Sequence, residues 1–275
     1  MRHCDQEEGI QVDQCMLHAV LSNATHPEYG AVTLPFPIPR EDFGHCIELL
    51  EALEIGKVST QDCHVDEINS KWPILGRLEG TNVDLDELDY LAKRLDSFDD
   101  GEATQFQAMT EALDLTDMKD LINLTFCCQQ TTVITDFSDL ETVGRDHYMN
   151  THGGCARVQE LEALDGTETA ILLIDGGGGR VTRYGVVYDN GMKLDQSYDG
   201  RHFPGYLYEP PMLMVALTSR MEPEDTKNIT WLYLPAAKEQ LKRGMGRSGI
   251  DDPENMRFRF VECMFPDEIK AVLDF

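Results

Sequence analysis

The sequence predicts an α+β fold built from several small α/β and helical domains in line, elongated and acidic. Three observations lead there. Alternating apolar–polar runs and helical periodicities take turns at both ends of the chain. A leucine-spaced helical block lies between them. The charge is extreme, with 50 Asp and Glu against 23 Lys and Arg for a net −27, and it is uneven. Residues 1–150 hold 30 acids and 9 bases, whereas residues 151–275 hold 20 and 14. Charge of one sign at that density opposes compaction, so spreading it over small units in line relieves the repulsion.

Residues 1–15 are polar and read as a flexible extension. An N-terminal small α+β domain spans 16–80. MLHAVLSN alternates as a strand, HPEYG turns, and AVTLPFPI is a second strand whose prolines place it at a sheet edge. Pro39 suits the first turn of a helix carrying Phe43, Cys46, Ile47, Leu50 and Leu53, and KVSTQDCHV is a third strand. An acidic helical domain follows over 81–128. Leu85, Leu88, Leu91 and Leu95 share one helix face, Phe106 and Met109 point inward from a second helix, and Thr116 caps a third. A strand–helix unit over 129–155 comprises TTVITD and a helix opened by a capping box from Ser138 to Glu141. Residues 156–275 read as a β-rich domain with terminal helices: TAILLID and RVTRYGVVYDN as strands joined by Gly176–Gly179, then GMKLDQSYDG, YLYEPPMLMVALTS, NITWLYLP and MRFRFVEC, with helices from Pro235 and from Pro266 to Leu273. Strand, Pro and helix recur after Ile38-Pro39 and after Leu234-Pro235, a weak internal repeat.

Composition excludes several functions. A nucleic-acid binder needs a basic footprint, and an anionic membrane repels this chain; neither is an expected partner. The longest apolar run, Met212 to Leu217, is too short to span a bilayer, and eight cysteines without a CxxC pair suit a reduced, cytoplasmic protein. The run Asp175-Gly-Gly-Gly-Gly-Arg180 lacks the GK[ST] ending of a phosphate loop and reads as a turn. His45 with Glu48, and His64 with Glu67, have no third ligand cluster, and Asp99-Asp100-Gly101-Glu102 is not a calcium loop. No nucleophile motif is present. The chain is expected to be non-catalytic, without cofactor or metal.

The pattern of acids carries the functional reading. Asp84, Asp86, Glu87, Asp89, Asp96, Asp99, Asp100, Glu102, Glu111, Asp114, Asp117 and Asp120 are 12 acids within 37 residues. The last four step by three, one charge per ~4.5 Å of helix at ~1.5 Å rise per residue. Two or three such helices side by side approach the charge density of duplex DNA, one charge per ~1.7 Å. These acids, with Asp136, Asp139 and Glu141, are the candidate surface for mimicry of DNA.

The segment from Leu85 to Leu95, then Ser97-Phe-Asp-Asp100, then Glu102 to Ala108 in the pattern acid-x-x-x-F-x-A, resembles the ArdA antirestriction family. So does the D-L-x-x-x-G pattern of Asp139-Leu140 to Gly144. The likeness covers roughly residues 16–155, and residues 156–275 resemble the extension of the long form carried by mobile elements. It implies a bacterial, cytoplasmic homodimer whose carboxylates imitate DNA phosphates and which blocks the DNA-binding groove of a type I restriction-modification enzyme. The alternatives are a non-catalytic accessory or regulatory protein of a conjugative element, and an inhibitor of another DNA-targeting defence system such as CRISPR.

Overall fold

The computed structural model describes residues 15–206, 212–221, 228–264 and Ala271. Helices combine with three small antiparallel sheets in a mixed α+β fold. The first sheet contains β1 (Leu17–Ser22), β2 (Ala31–Phe36), β3 (Cys63–Ser70) and β4 (Asn82–Val83) in the order β2-β1-β3-β4. β1 alternates buried and half-buried residues, the signature of a strand with one face in the core. β2 is the edge strand, the position that tolerates Pro35. It leaves the sheet through a cis Phe36–Pro37 bond and leads to α1 (Phe43–Ala52), which buries Phe43, Cys46, Ile47 and Leu50.

The leucine stripe forms α2 (Leu85–Asp96), followed by α3 (Asp100–Ala112) and α4 (Met118–Leu124). Leu85, Leu88, Leu91 and Leu95 are each at most 1% exposed, so each contributes roughly 1.5–3 kcal/mol of apolar burial. The cap of α4 is Asp117, one residue beyond the expected Thr116. One cluster of buried side chains runs from Met16 to Cys128 and takes in Val187 and Tyr198. Within it Trp72 packs against Phe98 and Phe106, with ring centroids 6.2 and 5.9 Å away. The expected boundary after residue 80 therefore divides no core.

The second sheet joins β5 (Thr132–Ile134), β6 (Arg180–Thr182) and β7 (Gly185–Tyr188) in the order β5-β7-β6. Residues 129–155 thus pair forward, with the segment expected to lie in the next domain. Between β5 and β6 run α5 (Leu140–Thr151), α6 (Val158–Ala163) and α7 (Gly166–Asp175). Here TAILLID, expected as a strand, is helical. Asp165 caps α7 by accepting the Glu168 N–H at 2.8 Å, and the helix packs tightly on α5. A Cβ placed on Gly144 of α5 would lie 1.9 Å from the Gly166 carbonyl oxygen, so the crossing requires glycine. The run Gly176–Gly179 links α7 to β6, and RVTRYGVVYDN is a hairpin, not a single strand. GMKLDQSYDG forms no strand.

The third sheet contains β8 (Leu213–Ser219), β9 (Thr230–Leu234) and β10 (Met256–Cys263) in the order β10-β8-β9. α8 (Lys238–Arg247) connects β9 to β10 and packs on α1. This connectivity repeats that of β1, β2, α1 and β3: the first strand is central, its hairpin partner exits through a cis X–Pro bond, and a helix returns the chain to the other side. The matching prolines are Pro37 and Pro235, so the repeat starts two residues before the expected Ile38-Pro39. The expected helix from Pro266 to Leu273 and the extension before Cys15 fall outside the described residues, apart from Ala271. Among the described residues no helix is long and apolar enough to cross a membrane.

Candidate acidic interaction surface

The fifteen candidate acids separate into distinct groups. Asp84, Glu87 and Asp89 are 3%, 4% and 7% exposed, and the Asp86 side chain 15%. Asp84 caps α2, its Oδ1 accepting the N–H groups of Asp86 and Glu87 at 2.8 and 3.1 Å. Two arginines of α8 then close over the helix start. Arg247 donates through Nη2 to Asp84 Oδ1 and through Nε to Asp86 Oδ2 at 2.9 Å, with its guanidinium 4.4 Å above the Phe203 ring. Arg243 donates through Nε to Asp86 Oδ1 and through Nη1 to the Gly56 carbonyl at 2.7 Å. Burial pushes the Asp84 carboxyl up. Burial acts on Asp86 too, but Arg243 and Arg247 outweigh it and hold that carboxyl below its usual range.

Glu87 accepts the Tyr198 hydroxyl on Oε1 at 2.7 Å, and its buried Oε2 has no hydrogen-bond partner among the described residues. Burial pushes this carboxyl up to about 7. Asp89 accepts the Ile38 N–H at 2.7 Å and the Lys93 ammonium at 2.7 Å. Asp84, Asp86, Glu87 and Asp89 therefore do not belong to an exposed acidic surface. They tie α2 to α8, to the loop before α1 and to Tyr198. A surface assignment from helix periodicity fails because these partners come from segments distant in sequence.

The series Glu111, Asp114, Asp117 and Asp120 is not a line of charge on one helix. α3 ends at Ala112, Asp114 has a positive φ of 53°, and Asp117 caps α4 by accepting the Lys119 N–H at 2.9 Å. Asp114 pairs with Arg77 at 2.9 Å and Glu111 with Arg183 at 3.4 Å. Glu141 pairs with Arg145 at 2.8 Å and accepts the Thr167 N–H at 3.1 Å. Asp96, Asp100 and Asp117 are exposed, and Asp120 is half-buried.

Four of the candidates do converge. Asp99, Glu102, Asp136 and Asp139 line a groove of about 910 Å³ between the start of α3 and the start of α5. A fifth acid, Asp146, joins them, and the lining includes no Lys, Arg or His. Asp99 and Glu102 form a capping box: Asp99 Oδ1 accepts the Glu102 N–H at 2.8 Å, and Glu102 Oε2 accepts the Asp99 N–H at 3.1 Å. Asp139 caps α5 through the Thr142 N–H and hydroxyl at 3.1 and 2.8 Å. Asp136 accepts the Ser138 N–H and hydroxyl, both at 2.8 Å. Carboxylates placed there meet the positive ends of two helices. These hydrogen bonds hold the Asp136 and Asp139 carboxyls below their ordinary range, so both are ionised at neutral pH. Burial, with the Asp139 charge beside it, pushes Asp146 up.

Asp146, Tyr198, Arg243 and Arg247 escaped the sequence reading. One signal was available: KEQLKRGMGR is a strongly basic stretch in an acidic chain, as expected of a helix docking on carboxylates. The residues quoted for the ArdA likeness have structural roles of their own. Phe106 and Ala108 are fully buried, Asp139 is a helix cap, and Gly144 permits the α5–α7 crossing. No family model, no curated protein and no solved structure matches the chain.

Proposed function

We propose that this chain is a non-catalytic DNA mimic, a bacterial cytoplasmic antirestriction protein that acts as a homodimer and binds no nucleic acid itself. Its target is the DNA-binding surface of a type I restriction-modification enzyme, as the ArdA likeness implies. The observation that supports this reading is the groove of five carboxylates without a cation in its lining. Several of its carboxylates are tied to backbone N–H groups, so charge is presented at fixed positions. A surface that binds phosphates through Lys and Arg meets complementary charge there, and such association weakens as salt rises. The mimicking surface comprises this groove and the exposed acids around α3 and α4, without the buried carboxylates at the start of α2.

The test is competition. A labelled duplex bound to a purified type I enzyme should be displaced by this protein at near-stoichiometric ratio in low salt, and poorly in high salt. Persistence of the enzyme–DNA complex in low salt under excess protein would sink the proposal.

A further inference from the structure

A second cavity, of about 200 Å³, lies between α2, β9, α8 and the loop around Phe203. Arg40, Lys93, Arg243 and Arg247 stand in its wall beside the carboxylates of Asp86 and Asp89, with Lys93 paired to Asp89 and the two α8 arginines to Asp84 and Asp86. Tyr90, Trp231 and Tyr233 supply flat apolar faces. These walls are pre-formed. Tyr90 stacks on Phe203 with centroids 4.5 Å apart and donates its hydroxyl to the Pro204 carbonyl at 3.0 Å. The Tyr233 hydroxyl accepts the Tyr206 N–H at 2.7 Å. Both phenol groups are thus engaged within the protein, leaving ring faces for apolar contact.

Arg243 supplies the polar contact. Its side chain lines the cavity and is 9% exposed. Nε is taken by Asp86 and Nη1 by the Gly56 carbonyl, whereas the buried Nη2 has no hydrogen-bond partner among the described residues. A buried donor without an acceptor is costly, and an ionised acceptor compensates best. A cavity of about 150 Å³ accommodates benzene, so this one takes a single ring bearing one small substituent.

We propose that this cavity binds a small aromatic carboxylate, its ring against Tyr90 and Trp231 and its carboxylate at the Arg243 guanidinium, whose covered Nη2 must turn outward to meet it. The proposal is independent of DNA mimicry.

Isothermal titration calorimetry of the full chain with benzoate and with benzamide tests it. Benzoate should bind at one site, and the neutral amide at least about tenfold more weakly, the factor expected for losing one charge-assisted hydrogen bond. Ala236→Phe fills the cavity without touching the Asp86 clamp and should abolish binding with the circular dichroism spectrum unchanged. In the unaltered protein, the Trp231 indole N–H resonance should shift on adding benzoate while that of the core residue Trp72 stays put. No benzoate binding, equal affinity for benzamide, or a shift at Trp72 without one at Trp231 would each overturn the proposal.

Discussion

Arg247 and Asp86, 161 residues apart in sequence, are joined by a 2.9 Å hydrogen bond from Nε to Oδ2 in a buried cluster with Asp84 and Arg243. Replacing Arg247 with Met keeps the aliphatic bulk but takes from buried Asp84 its arginine and leaves Asp86 with Arg243 alone. Removing one partner of a buried ion pair costs about 3–5 kcal/mol, and that loss is expected in urea denaturation. Adding Asp84→Asn should recover part of it. A loss below about 1 kcal/mol would mean that α8 is held by apolar packing alone.

Glu87 makes stability depend on pH. Its folded value of about 7 lies above the ordinary 4.5, so the folded state holds the proton more tightly than the unfolded chain does. The contribution is complete below pH 4.5 and is lost as pH rises through 7. Glu87→Gln keeps the acceptor for the Tyr198 hydroxyl and removes the ionisation. It should raise stability by roughly 2–3 kcal/mol above pH 7 and much less near pH 4.5. Parallel stability curves for the two proteins across that window would refute this.

Neutralising the groove separates charge from folding. Asn caps helices about as well as Asp, so the combined change of Asp99, Asp136, Asp139 and Asp146 to Asn should leave the melting temperature nearly unchanged. At roughly 0.2–1 kcal/mol per exposed pair, displacement of DNA from the target should weaken about tenfold or more in low salt and converge with the parent in high salt. The same change at Asp114, Asp117 and Asp120 should do less, because Asp114 already faces Arg77. Equal potency of the groove variant and the parent at both salts would remove the groove from the mimicry surface.

The two glycines Gly144 and Gly76 should respond oppositely to alanine. At Gly144 a methyl group would meet the Gly166 carbonyl oxygen at 1.9 Å, and overpacking against backbone costs typically 1–3 kcal/mol. At Gly76 a Cβ meets nothing within 4 Å, and the stiffer unfolded chain makes Gly76→Ala neutral or stabilising by up to about 1 kcal/mol. Chemical denaturation of the two variants tests the pair; a stable Gly144→Ala protein would show that α5 and α7 can separate.

The sequence made local structure readable and hid what depends on distant partners. Leu85, Leu88, Leu91 and Leu95 announce α2 because their spacing is the helix period itself. The run Ala170 to Ile174 misleads because five consecutive apolar residues look alike in a buried strand and in a helix lying on a neighbour. Asp165 and Gly166, a cap and a close contact, decide for the helix. Glu87 and Asp89 sit on a helix rich in charge and read as solvated, yet Tyr198 and the Ile38 N–H cover them. No pattern within a single helix reveals such a cover. The candidate groove is partly legible: the acid pattern points to Asp99, Glu102, Asp136 and Asp139, but their convergence depends on how α5 is placed beside α3.

The capping roles of Asp99 and Asp139 have a consequence for entropy. A free acidic side chain on a helix face must give up rotamer freedom when a cation engages it, and that loss subtracts from affinity. A carboxylate already tethered to backbone N–H groups has surrendered most of that freedom during folding. A partner arriving at the groove would find its counter-charges immobilised beforehand, much as phosphates are held in place along a duplex.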